Sequence, residues 1–273
     1  MTYKTLLVHL DERPRRAERL QLGFELARRF DAHLVALFAL GAARIPSYAR
    51  AEAGPIVQEI ETRQRSEAAR AAEEEFRQAE RRAAAKAEWR LSTDDVTAAV
   101  RLSARYADLV IAGQPEPGEP LAQAFAADLL LSAGRPVLFV PYAGRFPDCG
   151  KRVLVAWNAS REAARAVSDA LPLLAGADAV AVVAFDPDSA DHGEMPGADI
   201  ALYLARHGVK ATAARQSAPD VDIGNQILSR AADVNADLIV MGGYGHSRLR
   251  ELALGGATRS VLEAMTVPVM MAH

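Results

Sequence analysis

A glycine-rich segment near the end of the chain has the residue types that bind phosphate groups. Gly242 and Gly245 follow an apolar run typical of a strand, and Gly255 and Gly256 precede a helical pattern. Glycine permits positive φ angles and close approach of the backbone, and the N–H groups at the start of a helix attract anions. The two pairs therefore predict a loop that presents backbone amides to a phosphate chain from two sides.

The alternative is that these glycines only form tight turns between strand and helix. The doubled arrangement favours a ligand site over turns alone. Arg248 and Arg250 would add positive charge, whereas His246 is most simply an exposed side chain. Trp157 and Tyr244 would either flank a base or pack at strand ends.

The elements that position this loop belong to a pattern that occurs twice in the chain. Three segments repeat in order, each an apolar run: 5–11 with 152–158, 107–113 with 236–242, and 135–140 with 266–271. A stretch rich in Pro and Gly at 141–150 separates the copies. We therefore predict two domains, at 1–142 and 150–273.

Each copy reads as an α/β domain with a doubly wound parallel sheet. In the second copy, five nearly continuous runs of Val, Ile, Leu and Ala alternate with helical patterns. Such runs are typical of parallel strands covered on both faces. Ligands of such sheets bind beyond the carboxyl ends of the strands, at the point where the strand order reverses.

The first copy differs by a long charged segment. Residues 56–90 lack internal Gly and Pro and predict one long helix, supported by the i,i+4 pairs Glu59/Arg63, Glu61/Arg65 and Glu73/Arg77. Its apolar stripe is narrow, which favours a solvated amphipathic helix over an arm that binds a partner. The third strand, near 88–91, is correspondingly weak.

The second copy resembles the universal stress protein family, whose ATP-binding members carry Gly-x2-Gly-x9-Gly followed by Ser or Thr. Gly242, Gly245 and Gly255 match that spacing. The resemblance extends over both copies and implies the adenine nucleotide alpha hydrolase-like fold, with strand order 3-2-1-4-5. Because family members resemble dimers joined at their closing strands, it also implies that 135–140 and 266–271 pair edge to edge. It implies ATP, alone or with Mg, or a related adenine nucleotide at a site formed by Ala156, Trp157, Asn158, Met241, Gly242, Tyr244, Gly245, Gly255, Gly256, Ala257 and Thr258.

Two positions depart from the family pattern. Gly256 stands where the family has Ser or Thr, and Asn158 stands where it has Asp. Gly256 loses a hydroxyl group but keeps its N–H, and Thr258 matches another hydroxyl position of the pattern. The Asn158 amide can both donate and accept hydrogen bonds to adenine or ribose.

The first copy keeps Asp11 but lacks the glycine pairs. The segment 113–118 contains two prolines, which have no N–H, and Glu116, which repels phosphate. Near the position that corresponds to Gly255 and Gly256, the first copy has Phe-Ala-Ala at 125–127. We therefore expect no nucleotide in the first copy, whose role would be that of an intrachain pseudo-dimer partner. His9 lies inside a predicted strand, and we expect it to be a packed core histidine.

Composition narrows the remaining possibilities. The formal net charge of −3 gives no attraction for nucleic acid. The single cysteine, Cys149, excludes an intrachain disulfide. With no apolar leader and no long apolar run, we expect a cytoplasmic protein without membrane contact. An acidic loop at 186–194 matches no metal-binding spacing.

Two functions remain open. The first is a regulatory protein of the stress response that binds nucleotide with slow or no turnover, since no general base, metal ligands or Walker sequence are evident. The second is a nucleotide-free protein whose fold serves dimerisation and partner docking. An adenylate-forming or pyrophosphatase-type enzyme is disfavoured because the signature loops of those groups are missing. The family resemblance makes a homo-oligomer reasonable.

Overall fold

Ten strands and eight helices make up the part of the chain that the structure describes. The computed structural model describes residues 2–13, 15–41, 54–186, 197–218, 220–245 and 256–273. The strands are β1 (Thr5–Leu10), β2 (His33–Ala39), β3 (Ala87–Ser92), β4 (Leu109–Gly113), β5 (Val137–Val140), β6 (Arg152–Trp157), β7 (Ala179–Phe185), β8 (Ala211–Gln216), β9 (Leu238–Gly242) and β10 (Val269–Ala272). The helices are α1 (Arg16–Phe30), α2 (Gly54–Ala83), α3 (Val96–Ala104), α4 (Pro120–Ser132), α5 (Arg161–Leu174), α6 (Ala198–Arg206), α7 (Ile223–Asp233) and α8 (Ala257–Ala264).

All ten strands form a single sheet, in the order β3-β2-β1-β4-β5-β10-β9-β6-β7-β8. Each half therefore has the order 3-2-1-4-5, which confirms the predicted fold class. Neighbouring strands are parallel within each half, and β5 and β10 pair antiparallel between them. Val269 pairs with Phe139 and Met271 with Val137, so the predicted pairing of the closing strands is confirmed.

Helices cover both faces of this sheet. One apolar cluster contains alternate strand residues such as Leu6 and Val8 together with α1, α2, α5 and α6. The other contains the intervening strand residues, such as Leu7, together with α3, α4, α7 and α8. Burial on both faces explains why the strand sequences are continuously apolar.

Two aspartates at equivalent positions hold the first strand of each half in place. The Asp108 carboxylate accepts the Thr5 N–H at 2.9 Å, and the Asp237 carboxylate accepts the Arg152 N–H at 2.9 Å. These residues belong to the Ala-Asp-Leu segments that repeat in the sequence. The repeat therefore reflects a shared contact as well as a shared strand.

The long helix ends earlier than the sequence predicted. Helix α2 stops at Ala83, Ala84 has a φ of 49°, and 87–92 form β3, which pairs with β2 along its length. The extension to residue 90 was wrong because pairing to β2 outweighs local helix propensity. The apolar stripe of α2 is also more buried than expected for a solvated helix, since Ala72 and Phe76 are fully buried.

The charge pairs of α2 follow the predictions in part. Arg77 pairs with Glu73 at 3.4 Å, as predicted, but Arg63 pairs with Glu67 at 3.0 Å instead of with Glu59. The side chain of Glu61 lies outside the described residues. Both observed pairs span one helical turn on the exposed side of the helix, where each stabilises it only slightly.

Candidate functional site

The carboxyl ends of β6 and β9 lie side by side, which brings the two predicted binding segments together. Ala156 is in register with Met241, and both are buried. Trp157 and Asn158 therefore lie next to Gly242. This is the switch point of the second half, because the chain continues from β6 to β7 on one side whereas β9 lies on the other.

The glycine turn after β9 packs closely against neighbouring helices. A Cβ atom on Gly242 would lie 2.6 Å from the backbone nitrogen of Ala163 in α5. A Cβ atom on Gly243 would lie 2.4 Å from Leu130 Cδ2, in α4 of the first half. Close packing thus requires a glycine at Gly242, where the obstacle is backbone, while Gly243 lies against the tip of a side chain; packing was the alternative interpretation of the sequence.

The backbone N–H groups of this turn already have partners within the fold. Tyr244, with a φ of 54°, donates its N–H to Thr258 Oγ1 at 3.0 Å. Gly243 donates its N–H to the Ala272 carbonyl at 2.9 Å. Thr258 is buried and joins the turn to α8, so its hydroxyl group positions the turn.

The two aromatic candidates pack on different faces of the sheet. Trp157 contacts the apolar cluster that contains α5, and Tyr244 contacts the one that contains α8. They therefore do not form a sandwich around one ring. Packing at strand ends, the alternative that the sequence left open, accounts for both.

Asn158 shapes the entry into α5. Its Oδ1 accepts the N–H of Ser160 at 3.2 Å and the Ser160 hydroxyl at 2.7 Å. The Ser160 Oγ in turn accepts the Ala163 N–H at 3.1 Å and caps the helix. Sequence reasoning missed Ser160, although a serine before a helical pattern is a recognised start signal.

Helix α8 begins at the edge of the same crevice. Gly256 precedes it and provides no side-chain cap, and its first turn, which contains Ala257 and Thr258, has no acidic residue. Such a helix start retains N–H groups and a partial positive charge that favour an anion. Gly255, His246, Arg248 and Arg250 lie outside the described residues.

A buried glutamate lies beneath the glycine turn. Glu162 is 1% exposed, and its Oε2 would lie 2.9 Å from a Cβ atom on Gly245. Burial opposes its ionisation, but the Arg161 guanidinium hydrogen-bonds the carboxylate and lowers its pKa below the usual value. No spacing in the sequence identified this residue, because the second residue of a helix is commonly acidic.

The first half has a buried arginine near the turn that follows β4. The Arg19 guanidinium lies against Gly113, donates from Nε to the His9 carbonyl at 3.2 Å, and pairs with Asp11. Burial opposes ionisation of Asp11, but Arg19 lowers the pKa of that carboxyl overall. A cavity of about 530 Å³ opens beside these residues. Arg19 was missed because helical periodicity alone gave it no role.

The seam between the halves is joined by side chains as well as by strands. The Gln114 Nε2 donates to the Leu262 carbonyl at the end of α8, at 2.8 Å, and its Oε1 accepts the Tyr142 N–H at 3.0 Å. A second cavity, of about 490 Å³, is lined by α4 and α8 and reaches Tyr244 and Gly256. The predicted nucleotide loop therefore borders the seam.

Metal-ligating clusters and membrane-spanning helices are absent from the described ranges. No group of three or more His, Cys, Asp or Glu side chains there is arranged to hold a metal ion. Of the acidic loop, Asp186 is described, and its carboxylate accepts hydrogen bonds from Ser217 and Gln226. Within the same ranges, no helix has the length and apolar composition that a membrane span requires.

The second half of the chain is similar to a known family. Residues 150–273 match the universal stress protein family. No curated protein matches the sequence.

Several solved structures share the fold of the whole chain. A universal stress protein from Archaeoglobus fulgidus DSM 4304 is 17% identical, with 98% of this chain and 95% of that chain covered and a TM-score of 0.77. A putative universal stress protein from Pseudomonas aeruginosa UCBPP-PA14 is 18% identical, with 99% and 93% covered and a TM-score of 0.57. A functionally unknown protein from Pseudomonas aeruginosa PAO1 is 17% identical, with 99% and 92% covered and a TM-score of 0.58. The tandem fold thus extends over both halves.

Proposed function

We propose that this chain is a stress-response regulatory protein that binds ATP or a related adenine nucleotide in its second half. The observation that carries the proposal is the crevice between β6 and β9, where a glycine turn faces a helix start without a side-chain cap. Such a helix start favours phosphate. The match of residues 150–273 to the universal stress protein family supports the regulatory role.

Turnover in this proposal is slow or absent. The carboxylate beside the glycine turn, Glu162, is buried and paired with Arg161. A general base must be free to reach the proton that it removes, and efficient phosphoryl transfer also needs metal ions held in place. The proposed role of the nucleotide is therefore to bind and to stabilise one state of the protein.

The division at 1–142 and 150–273 is also part of the proposal. It is supported by 141–150, which forms neither helix nor strand and joins β5 to β6. The first half then acts as the intrachain partner of the nucleotide-binding half.

The test is a titration of ATP, with and without Mg, into wild type and Gly245→Val, after analysis of any nucleotide released on denaturation. A side chain at Gly245 meets Glu162, so we expect the variant to bind at least about tenfold more weakly, a loss of about 1.4 kcal/mol. The control is Gly118→Ala in the first half, where an added Cβ meets nothing within 4 Å but strains a backbone with a φ of 80°, so it reproduces a loss of stability away from the proposed site. Absence of adenine nucleotide binding by wild type at about millimolar concentration would refute the proposal.

A second candidate is a nucleotide-free protein that serves pairing and docking. Glu162 favours it, because a carboxylate under the turn repels phosphate, and the N–H groups of Gly243 and Tyr244 are already engaged. Glu162→Gln separates the candidates. If the second half binds nucleotide, removing the Glu162 charge should strengthen ATP binding about tenfold. If neither wild type nor Glu162→Gln binds ATP, the second candidate is supported.

A further inference from the structure

The cavity of the first half lies where ligands of doubly wound sheets bind. Its volume is about 530 Å³, and His9, Asp11 and Gly113 line it at the ends of β1 and β4. These strands are neighbours at the switch point of the first half. A cavity of this size and place is typical of a small-molecule site.

A buried histidine in the cavity wall lacks a partner. His9 is 4% exposed, and its Nδ1 has no hydrogen-bond partner among the described residues. Burial lowers the pKa of His9 to about 4, so the ring is neutral near pH 7 and one of its nitrogens is an acceptor. An unpaired buried polar group is unfavourable by about 1–3 kcal/mol. Because Nδ1 has almost no accessible surface, a ligand reaches it by a turn of the imidazole ring towards the cavity.

The charged groups around the cavity are mainly carboxylates. The lining contains four of these and two guanidinium groups: Asp11, Glu12, Asp95 and Glu119, with Arg13 and Arg65. Arg13 pairs with Glu119, and Arg65 donates to the Gly41 carbonyl at 3.2 Å. Among the residues that the structure describes, the hydrogen bonds to the Asp11 and Asp95 carboxylates go to Oδ1. Oδ2 of each carboxylate is thus an acceptor for a ligand.

The same cavity offers little to a phosphate group. Pro115 has no N–H, and Gln114 donates its N–H to the Val140 carbonyl. Helix α4 begins with Pro120, after Glu119, which provides no side-chain cap but carries a negative charge. The start of α4 therefore attracts an anion less than the start of α8, which has no acidic residue in its first turn.

One aromatic side chain forms a wall of the cavity. Phe125 lines it from α4, and the Phe125 ring lies 5.0 Å from the His9 ring, whereas the Phe38 ring is 1% exposed and stacks on Trp89. Aromatic rings next to carboxylates recognise flat organic cations, through stacking, cation–π attraction and charge-assisted hydrogen bonds. The lining therefore combines acceptors with one aromatic surface.

We propose that this cavity binds a small aromatic amine. The ring packs against Phe125, the ammonium group donates to Asp11 and Asp95, and a ring N–H donates to His9. This site is separate from the proposed nucleotide site in the second half, so each proposal can fail without the other.

The test is calorimetric titration of full-length protein with tryptamine, which carries an ammonium group and a ring N–H. We expect a dissociation constant of about 1 mM or lower and a stoichiometry of one. Tryptophol, in which a hydroxyl replaces the amine, should bind about tenfold more weakly, because the charge is lost. Failure of tryptamine to bind, equal affinity of the two compounds, or displacement of tryptamine by ATP would each overturn the proposal.

Paired variants locate the binding. Ala122 and Ala127 both lie on α4, but Ala122 lines this cavity and Ala127 lines the seam cavity. Ala122→Phe should abolish tryptamine binding, and Ala127→Phe should leave it unchanged. The reverse result, or no effect of either variant, would place the ligand elsewhere and refute the proposal.

A charge variant keeps the test valid if Ala122→Phe does not fold. Asp95 caps α3 and Asp222 caps the equivalent helix α7. Each carboxylate accepts the backbone N–H of the residue three positions later in the chain, which is Ala98 or Asn225. Asparagine caps helices as well as aspartate. Asp95→Asn should weaken tryptamine binding about tenfold, whereas Asp222→Asn should not change it. Equal affinities of the two variants would contradict the role of Asp95.

Discussion

At the scale of single residues, the two halves bury opposite charges near the turns that follow β4 and β9. The Arg19 guanidinium lies against Gly113 in the first half, and the Glu162 carboxylate lies against Gly245 in the second. Each is neutralised by a neighbour, Asp11 or Arg161, because an unpaired charge in such a place is strongly unfavourable. The repeat therefore preserves the backbone while reversing the charge beside it.

His9 should make the protein less stable in mild acid. Its pKa is about 4 in the folded state against 6.5 when exposed, because of burial, with Asp11 opposing and Arg19 assisting. Between these values the unfolded state binds more protons, so stability falls as pH falls through this window. Below pH 4, where the loss is complete, the shift in the pKa of His9 lowers the free energy of unfolding by roughly 3 kcal/mol.

Urea denaturation from pH 7 to pH 4.5 measures this contribution. His9→Gln should lose less stability over this range than wild type, by roughly 2 kcal/mol. The exposed His207 provides the control, since His207→Gln should follow the wild-type profile. Parallel profiles for wild type and His9→Gln would show that His9 is not the group that titrates.

At the scale of elements, the sequence predicted those whose pattern is local. The continuous apolar runs identified the strands, and the repeated Asp108 and Asp237 segments placed the halves in register. The end of α2 was missed, because β3 depends on pairing with β2. Glu162 and Arg19 were missed for a related reason, since their roles depend on a glycine that is distant in the chain.

The close contact between the glycine turn and its neighbouring helices can be tested by adding one methyl group. Gly242→Ala would place its Cβ 2.6 Å from the Ala163 backbone nitrogen, whereas Gly243→Ala would place it 2.4 Å from the tip of the Leu130 side chain. The Ala163 backbone can move away only if α5 moves, whereas the Leu130 side chain can rotate. We expect Gly242→Ala to destabilise by about 3 kcal/mol and Gly243→Ala by about 1 kcal/mol.

A double variant checks the cause. If Leu130 is the obstacle, Leu130→Ala and Gly243→Ala together should cost less than the sum of the single changes, measured by urea denaturation. The same Leu130→Ala change should not relieve Gly242→Ala. Additive effects in the first pair would show that the strain lies elsewhere.

At the scale of the whole molecule, the two halves form one continuous structure. The antiparallel pairing of β5 with β10 joins two parallel sheets, and Gln114 of the first half binds the Leu262 carbonyl of the second. Leu130 fills the space that Gly243 leaves open. The first half is therefore a structural partner of the second as well as the carrier of its own cavity.

Separation of the halves tests this relation. A fragment of residues 150–273 retains β6–β10 but exposes the edge of β10 that β5 covers in the full chain. An uncovered apolar edge strand tends to pair with another copy, and antiparallel pairing of β10 with itself would imitate the intrachain seam. We expect the fragment to be a dimer by light scattering and, in an equimolar mixture with residues 1–142, to exchange into a one-to-one complex. A folded, monomeric fragment that ignores the first half would contradict the role of this seam.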